Sequence, residues 1–466
     1  MILEQHYLSC LAQASYLVGD KSAGEAFVVD PRRDIDVYVD QAKELGVRIT
    51  GVLLTHVHAD FLGGHLELAE RSGAAIHVGA GASVEYPHQP LQDGDELRVG
   101  AVKIKVLSTP GHTPESVCYV VYDGAGSEPH AVLTGDTLFL GDVGRPDLLA
   151  GAGHTREGLA GMMYESLRTK LLPLPDGTLV YPGHGAGSAC GKNLSSDTFS
   201  TLGEQRRSNY ALQPMDKEAF VAAVTDGLQP PPAYFPMTSG LNRSMRPILR
   251  DVEQAAQREL SLDEVLAAQA AGATILDTRN AEVFAAGHLK GSLFVGLEGN
   301  FASWAGQVLD LHADVVLVSE PGDEGQAVRR LGRIGFDRVR GHLAGGAAAF
   351  AGRDELQASI GRRDVAEAQN DLASGAAPLV LDVRQPGEVS SSSIESRLSI
   401  PLGALASRLS EVPRDRPLLV HCKAGYRSMI ASSILAAAGI PSQDLRGGFD
   451  AWTDAGAPVV EGASCG

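Results

Sequence analysis

The chain has 466 residues, of which 44% are hydrophobic, and its formal net charge at pH 7 is −18. At roughly 100–200 residues per domain this length predicts about three domains, and the apolar fraction excludes a largely disordered chain. The negative charge predicts no nucleic-acid partner and no anionic membrane surface. No apolar run approaches the ~18 residues of a membrane helix, and Glu4 stands where a secretory signal carries a basic residue.

The cysteines are odd in number, widely spaced and form no CxxC pair. A disulfide framework is therefore not expected, and we predict a cytoplasmic protein with free thiols that are either catalytic or simply buried. The cysteines are Cys10, Cys118, Cys190, Cys422 and Cys465.

Residues 1–235 are predicted to form short strands that alternate with glycine-rich turns and a few helices. The strand-like runs are 26–31, 51–56, 102–112, 117–123, 131–136 and 178–184. The last five end in, or run into, a turn with His or Asp, which is typical of a sheet that supports a functional site. The proline-rich stretch 228–247 shows no helical or strand period, so we expect an extended segment there and a linker over 236–259.

The remainder of the chain predicts two similar α/β domains, 260–355 and 360–461. Ser261 is expected to cap a short helix, and ATILDTR (273–279) then reads as a buried strand. Strand, loop, helix, strand, Gly-Gly and an aromatic residue follow in the same order in both segments. We interpret this as an internal duplication with mainly parallel sheets.

Polar residues that are able to bind a metal ion cluster at predicted strand ends of the first domain. They are His56, His58 and Asp60 in THVHAD, His112 in TPGHT, Asp136 in TGDT and His184 in YPGH. These motifs resemble the metallo-β-lactamase superfamily, which implies an N-terminal αββα sandwich and, in most members, two zinc ions. Phe61 stands where those members have a histidine ligand for the second metal, so we expect one ion.

The segment GDTLFLGDVGRPDL (135–148) resembles the persulfide dioxygenases, particularly bacterial ones fused to rhodanese modules. This resemblance implies one Fe(II) per chain, held by His58, His112 and Asp136. His56, Asp60 and His184 are expected beside it, or as alternative ligands. Two imidazoles and a carboxylate leave coordination positions open for a sulfur donor and dioxygen.

Two further residues of this domain are candidates for the active site. Arg145 follows Asp136 by nine residues and is a candidate to pair with an anionic substrate, the alternative being a structural salt bridge. Cys190 lies in a loop of small residues, and is either a sulfur-handling thiol near the metal or an inert buried one.

The segment LLVHCKAGYRS (418–428) places Cys422 between an apolar strand and a helix, with Arg427 closing the loop. Loop amides and the helix N-terminus then favour the thiolate and the docking of an anion. The pattern resembles a rhodanese domain with a six-residue loop, whereas cysteine-dependent phosphatases, the alternative, have one residue more. The resemblance implies that Cys422 carries a sulfane sulfur and that Lys423 and Arg427 attract anionic donors.

Residues 260–355 keep the motifs DTR (277–279) and AGHLKGS (286–292), and so also resemble a rhodanese. Glu320 stands where the cysteine is expected, and the closing arginine is missing. We therefore predict an inactive, structural domain.

Together these resemblances imply a fusion enzyme for sulfide detoxification. It would oxidise a low-molecular-weight thiol persulfide (of glutathione, coenzyme A or a similar thiol) with O2 to sulfite, and exchange sulfur among persulfide, sulfite and thiosulfate. A homo-oligomer is expected. The alternatives are a dizinc thioester hydrolase of the glyoxalase II kind fused to a rhodanese, and a redox sensor that stores sulfur on Cys422 for a protein acceptor.

Overall fold

A computed structural model describes residues 1–124, 126–150, 153–374, 377–395 and 397–461, so that Cys465 lies outside the described residues. The chain divides into two compact units, Met1–Leu249 with Gly332–Gly335, and Arg250–Leu331 with Phe336–Gly466. Among the described residues, none of the helices has the length and hydropathy needed to cross a bilayer.

The first unit contains two sheets, each of six strands among the described residues, in which neighbours in the sheet are also neighbours along the chain. The first sheet consists of β1 (Ile2–Leu8), β2 (Gln13–Asp20), β3 (Glu25–Val29), β4 (Arg48–Leu53), β5 (Ala75–Gly79) and β6 (Gln89–Leu91). The second consists of β7 (Glu96–Val99), β8 (Val102–Ser108), β9 (Val117–Tyr122), β10 (Ala131–Gly135), β11 (Leu179–Pro182) and β12 (Ser200–Thr201). All six predicted strand runs are confirmed.

Helices cover the outer faces of both sheets. They are α1 (Asp36–Leu45), α2 (His65–Ser72), α3 (Arg156–Ser166), α4 (Leu202–Ser208), α5 (Lys217–Thr225) and α6 (Phe235–Arg243). One apolar cluster joins the facing sides of the two sheets, with Tyr16 from the first and Ile104 from the second. Two further clusters bury Tyr38 of α1 against the first sheet and Phe220 of α5 against the second. These layers form the predicted αββα sandwich.

The expected extended conformation of 228–247 is wrong, because α6 takes up nine residues in the middle of this stretch. Phe235, Thr238 and Asn242 are buried along one side of the helix, at a spacing of three and four residues. Pro236 lies in the first turn, where a missing N–H breaks no helical hydrogen bond. The prolines therefore begin this helix instead of excluding it.

Within its described residues, the second unit contains two parallel sheets of five strands each, with the same strand order. The first has the order β13 (Glu259–Leu260), β18 (Val339–Leu343), β17 (Val315–Val318), β14 (Thr274–Asp277), β16 (Leu293–Phe294). The second has the order β20 (Gly361–Arg363), β25 (Ser442–Leu445), β24 (Leu418–His421), β21 (Leu379–Asp382), β23 (Arg397–Ser399). The matching order confirms the predicted repeat, and we call the two halves the first and second repeat.

Short antiparallel pairs and helices complete each repeat. The pairs are β15 (His288–Leu289) with β19 (Gln357–Ala358), and β22 (Ser392–Ser393) with β26 (Val460–Glu461). The helices between α6 and the second repeat are α7 (Leu249–Ala256), α8 (Leu262–Ala270), α9 (Ala281–Ala286), α10 (Phe301–Val308) and α11 (Glu324–Gly332). Those of the second are α12 (Val365–Ala373), α13 (Pro386–Ser391), α14 (Leu402–Leu405), α15 (Tyr426–Ala437) and α16 (Gly448–Asp454). Ser261 caps α8 in a capping box with Glu264, as predicted.

Candidate metal centre and thiol loop

Three buried side chains from different strand ends of the first unit meet at one point. The Nε2 atoms of His112 and His56 lie 3.5 Å and 4.0 Å from Oδ2 of Asp136. His56 follows β4, His112 follows β8, and Asp136 follows β10 directly. Their ligand atoms all lie within 4.8 Å of one another. We call this group the triad.

The triad fits a cation. Nε2 of His56 and Oδ2 of Asp136 are buried and have no hydrogen-bond partner among the described residues. Buried polar atoms without partners are rare in proteins, because each has lost its hydration without compensation. Two imidazole nitrogens and a carboxylate oxygen are donors that suit first-row transition metals.

Hydrogen bonds on the far sides of the rings orient both histidines. Nδ1 of His112 lies 2.8 Å from the carbonyl oxygen of Arg145. Nδ1 of His56 lies 3.0 Å from the Thr55 hydroxyl, which donates to the Asp30 carboxylate at 2.7 Å. Such contacts fix the tautomer that leaves the Nε2 lone pair facing a metal.

His58, expected as a ligand, is not one of the three side chains whose ligand atoms converge, although its ring centroid lies 4.2 Å from that of His56. Its Nε2 atom is 3.1 Å from Oδ1 of Asp30, and its ring packs on that of Phe61 at a centroid distance of 4.3 Å. Burial lowers the pKa of His58, but the Asp30 carboxylate outweighs this and the net shift is upward. The structure thus places His56, and not His58, with His112 and Asp136, while Asp30 contacts both Thr55 and His58.

A second buried group lies next to the triad. His184 connects two carboxylates, with Nδ1 at 2.8 Å from Asp136 and Nε2 at 2.7 Å from Asp60. Burial opposes the protonation of His184, but these two carboxylates raise its pKa well above the usual value. The Sγ atom of Cys190 lies within 4.8 Å of the Asp60 and His184 ligand atoms, and burial raises the pKa of this thiol. The structure thus brings the expected neighbours of the metal together, Cys190 included.

The Arg145 guanidinium is occupied by protein groups. It donates to both carboxylate oxygens of Asp147 at 2.6 and 2.8 Å, and to the carbonyl oxygens of Ala189 and Gln229. The main-chain N–H of Arg145 also donates to the carbonyl oxygen of Cys190. The structure therefore favours the alternative of a structural salt bridge, in which Arg145 joins the loops around the triad.

Asn242 is a residue that the sequence-based reasoning missed. From α6 its Nδ2 donates to the carbonyl oxygens of His58 at 2.8 Å and Phe61 at 2.7 Å, and its Oδ1 accepts from the N–H of Gly63 at 2.9 Å. Its side chain thus holds the loop that follows β4. The available signal was the spacing of Asn242, which lies four residues after Thr238 and seven after Phe235 and so falls on the same side of a helix.

In the second repeat, Cys422 lies in the turn between β24 and α15 and is buried. The N–H of Gly425 donates to its Sγ atom at 3.1 Å. Gly425 has φ +97°, a conformation that side chains rarely adopt, and this points its amide at the sulfur. Lys423 is exposed at the edge of the loop.

The Gly-Gly motif fixes this loop from the other side. The N–H groups of Phe449 and Asp450 donate to the carbonyl oxygens of Cys422 and Lys423 at 2.8 and 2.9 Å. A Cβ atom on Gly448 would lie 2.5 Å from the Cys422 oxygen, and Gly448 has φ +59°. Only glycine permits this close approach without strain.

Arg427 points at a carboxylate of its own repeat. Its guanidinium donates to both oxygens of Glu388, at 2.6 and 2.7 Å, and lies 5.8 Å from the ring centroid of Trp304 in the first repeat. The adjacent Tyr426 hydroxyl donates to the carbonyl oxygen of Gly296, also in the first repeat, at 2.5 Å. The charge of Arg427 is therefore compensated within the protein.

Both repeats contain the same buried ion pair. Asp382 pairs with Arg384 at 2.7 Å, and Asp277 pairs with Arg279 at 2.6 Å. Glu320, at the cysteine position of the first repeat, is exposed in the turn after β17. The first repeat thus keeps the scaffold and lacks the nucleophile.

Family models match three parts of the chain. The metallo-beta-lactamase superfamily model matches residues 8–184, and the rhodanese-like domain model matches residues 261–353 and 364–455.

Individual proteins are similar to this chain over different shares of its length. A metallo-beta-lactamase structure from Staphylococcus aureus is 32% identical, with a TM-score of 0.67, and covers 73% of this chain and 98% of its own. A probable hydroxyacylglutathione hydrolase from Schizosaccharomyces pombe is 34% identical over 36% of this chain, and the chain spans only 62% of that relative. The structure of ETHE1 from Myxococcus xanthus is 30% identical, with a TM-score of 0.45, over 52% of this chain and 98% of its own.

Proposed function

Since the chain belongs to the metallo-β-lactamase superfamily and continues into two rhodanese domains, we propose that it is a persulfide dioxygenase fused to a sulfurtransferase. The first unit oxidises a thiol persulfide, of glutathione, coenzyme A or a similar thiol, with O2 to sulfite. The second repeat exchanges sulfur among persulfide, sulfite and thiosulfate. We place this activity in a reducing cytoplasm and in a homo-oligomer.

The observation that carries the proposal is the composition of the triad. His56, His112 and Asp136 would hold one Fe(II), since two histidines and one carboxylate with open positions are typical of non-haem iron oxygenases. When bound, the iron supplies the activation of dioxygen. Phe61 supports a single ion, because it occupies the sequence position at which most members of the superfamily have a histidine ligand for the second metal.

The protein groups around the triad have separate tasks in this proposal. Thr55 and the carbonyl oxygen of Arg145 orient the two imidazoles, and Asn242 holds the loop. His184 connects Asp136 to Asp60, so that both carboxylates keep a fixed orientation. The Cys190 thiol lies where it can contact a sulfur substrate, and its raised pKa keeps it neutral beside an anionic persulfide.

Sulfur transfer would use Cys422. Its thiolate attacks the outer sulfur of thiosulfate, a new S–S bond forms, the S–S bond of the donor breaks, and sulfite leaves. The Gly425 amide stabilises the negative charge on the sulfur. The reverse step uses sulfite that the first unit produces, and the covalent link between the two sites raises its effective concentration.

A specific observation favours a second candidate, a thioester hydrolase. The S. pombe relative is named a probable hydroxyacylglutathione hydrolase, and Asp60, Asp136 and His184 are available to a second ion. This version predicts about two zinc ions per chain and hydrolysis of a glutathione thioester without oxygen. A sulfur-storing sensor would instead show turnover only with a protein acceptor.

Oxygen uptake tests the first half. Protein that is purified and loaded with Fe(II) anaerobically is expected to consume O2 with glutathione persulfide and to release sulfite. An iron-loaded enzyme that consumes none, or two zinc ions with thioester turnover, overturns the proposal.

A matched pair of variants tests the assignment of the ligands. His56→Gln removes a triad nitrogen and is expected to lower the iron content and abolish oxygen uptake. His58→Gln changes the neighbouring imidazole, which pairs with Asp30, and is expected to retain iron. If His58→Gln loses iron and His56→Gln retains it, His58 is the ligand and the assignment of His56 is wrong.

A third variant separates the two activities. Cys422→Ser is expected to abolish thiosulfate turnover and to leave oxygen uptake unchanged. Thiosulfate turnover that survives this change contradicts the assignment of the nucleophile.

A further inference from the structure

A buried chain of hydrogen bonds starts at the nucleophile of the second repeat. The Cys422 thiol donates to the Ser428 hydroxyl, with Sγ and Oγ 3.6 Å apart. The Ser428 hydroxyl in turn donates to Oδ1 of Asp444 at 2.5 Å. All three side chains are buried, so this series of hydrogen bonds is shielded from bulk water.

The Asp444 carboxylate, at the other end of this series of hydrogen bonds, is held in place by an arginine. Oδ2 of Asp444 accepts from Nε and Nη2 of Arg362, at 2.9 and 2.8 Å. Arg362 also pairs through Nη1 with Glu282 of the first repeat. The arginine therefore occupies one oxygen of Asp444 and leaves Oδ1 for the serine.

We propose that Asp444 accepts the thiol proton of Cys422 through the Ser428 hydroxyl, which makes Ser428 and Asp444 positioning residues for the nucleophile. This inference rests on the proposed sulfurtransferase function and deepens it. It also gives the inactive first repeat a task, since Glu282 holds the arginine that orients the acceptor.

The transfer balances without any redox partner. The S–H bond breaks as its proton moves to Oγ of Ser428, and the O–H bond of Ser428 breaks as that proton moves to Oδ1 of Asp444. The products are a thiolate and a neutral carboxyl group. The proton returns along the same path when sulfur transfer is complete.

The environment of Asp444 suits a proton acceptor. Burial raises the pKa of Asp444 to about 6, although the Ser428 hydroxyl and Arg362 act in the opposite direction. A carboxyl group that titrates near neutral pH accepts a proton more readily than an ordinary aspartate does. At the other end, the amide of Gly425 stabilises the thiolate.

Other charged groups near the loop do not offer a competing path among the described residues. Both carboxylate oxygens of Glu388 bind Arg427, and Nδ1 of His421 faces the carbonyl oxygen of Cys422 at 3.2 Å. The charged or titratable groups from the surrounding elements are Glu282, Arg362, Asp382, Arg384, Glu388, His421, Lys423, Arg427 and Arg446.

The rate of Cys422 alkylation as a function of pH tests the relay. The full chain is treated with iodoacetamide between pH 5.5 and 9, and the modified Cys422 peptide is quantified by mass spectrometry. With the relay, thiolate forms without loss of a proton to solvent, so the wild-type rate is expected to level off from about pH 6. In Asp444→Asn and in Ser428→Ala, the rate is instead expected to keep rising above pH 6, by up to about tenfold per pH unit below the pKa of ~8.5 of an ordinary free thiol.

A matched control is available on the same helix. The Ser432 hydroxyl is buried and has no hydrogen-bond partner among the described residues, so Ser432→Ala is expected to keep the wild-type profile. The proposal is overturned if wild type, Asp444→Asn and Ser428→Ala give pH profiles of the same shape. It is also overturned if the profile changes in Ser428→Ala while a folded Asp444→Asn keeps the wild-type profile. If Asp444→Asn does not fold, the contrast between Ser428→Ala and Ser432→Ala decides. Alkylation needs no sulfur donor, so absence of thiosulfate turnover in the wild type would count against the proposed function and leave this test readable.

Discussion

Replacement of Asn242 by alanine tests whether α6 holds the loop that leads to the triad. The change removes two hydrogen bonds to the carbonyl oxygens of His58 and Phe61, and one from the N–H of Gly63. At about 1 kcal/mol for each buried hydrogen bond, the native conformation of the loop loses about 3 kcal/mol. At 1.4 kcal/mol per factor of ten, its opening equilibrium rises on the order of 100-fold.

Hydrogen exchange measures this opening directly. We expect amide exchange in a peptide that covers residues 57–66 to accelerate on the order of 100-fold in Asn242→Ala, together with a lower metal content. Ser239→Ala is the control, because this serine lies on the same helix and makes no side-chain hydrogen bond within the described part of the chain. Unchanged exchange in this peptide, with normal metal content, would refute the reasoning.

Three more outcomes are expected. Gly448→Ala places a Cβ atom 2.5 Å from the carbonyl oxygen of Cys422. It should reduce thiosulfate turnover at least tenfold while oxygen uptake stays normal. Thiosulfate turnover equal to that of the wild type would mean that the loop tolerates the contact. In the folded protein burial raises the pKa of Glu388, but Arg427 outweighs this and the net shift is downward from about 4.5. The pair therefore stabilises the fold above that pH and loses its effect as the pH falls through the lower folded value, so Glu388→Gln should flatten the dependence of the urea midpoint on pH between about 5 and 3. Removal of the metal with a chelator should abolish oxygen uptake and spare thiosulfate turnover, and a parallel loss of both activities would contradict two independent sites.

The strand ends of the first unit could be predicted because each ligand candidate follows an apolar run. His112 and Asp136 come directly after such runs, and the structure brings their side chains together. The choice between His56 and His58 could not be made in this way. Thr55, beside His56, and His58 both contact Asp30, which directly follows β3 and lies more than twenty residues earlier in the chain. A contact over this distance is not visible in the local sequence.

Long-range contacts also explain the other differences. The spacing of Arg145 from Asp136 indicated proximity. Its ion-pair partner Asp147 is two residues away, but its other partners, Ala189 and Gln229, are distant in the chain and were not visible in the sequence. In 228–247 the prolines obscured a helical period that only burial reveals. The repeat was easier, because the order of strand, loop and helix is a local pattern that both halves share.

The Tyr426 hydroxyl contacts the main-chain oxygen of Gly296, an acceptor that every amino acid provides. Exchanges of side chains elsewhere in the first repeat, such as the glutamate at position 320, leave that oxygen in place. A shift of the backbone near residue 296, by an insertion or a deletion, would instead deprive the neighbouring nucleophile loop of its support. At this contact, divergence in the first repeat is therefore constrained by the path of the backbone and not by the identity of the side chain.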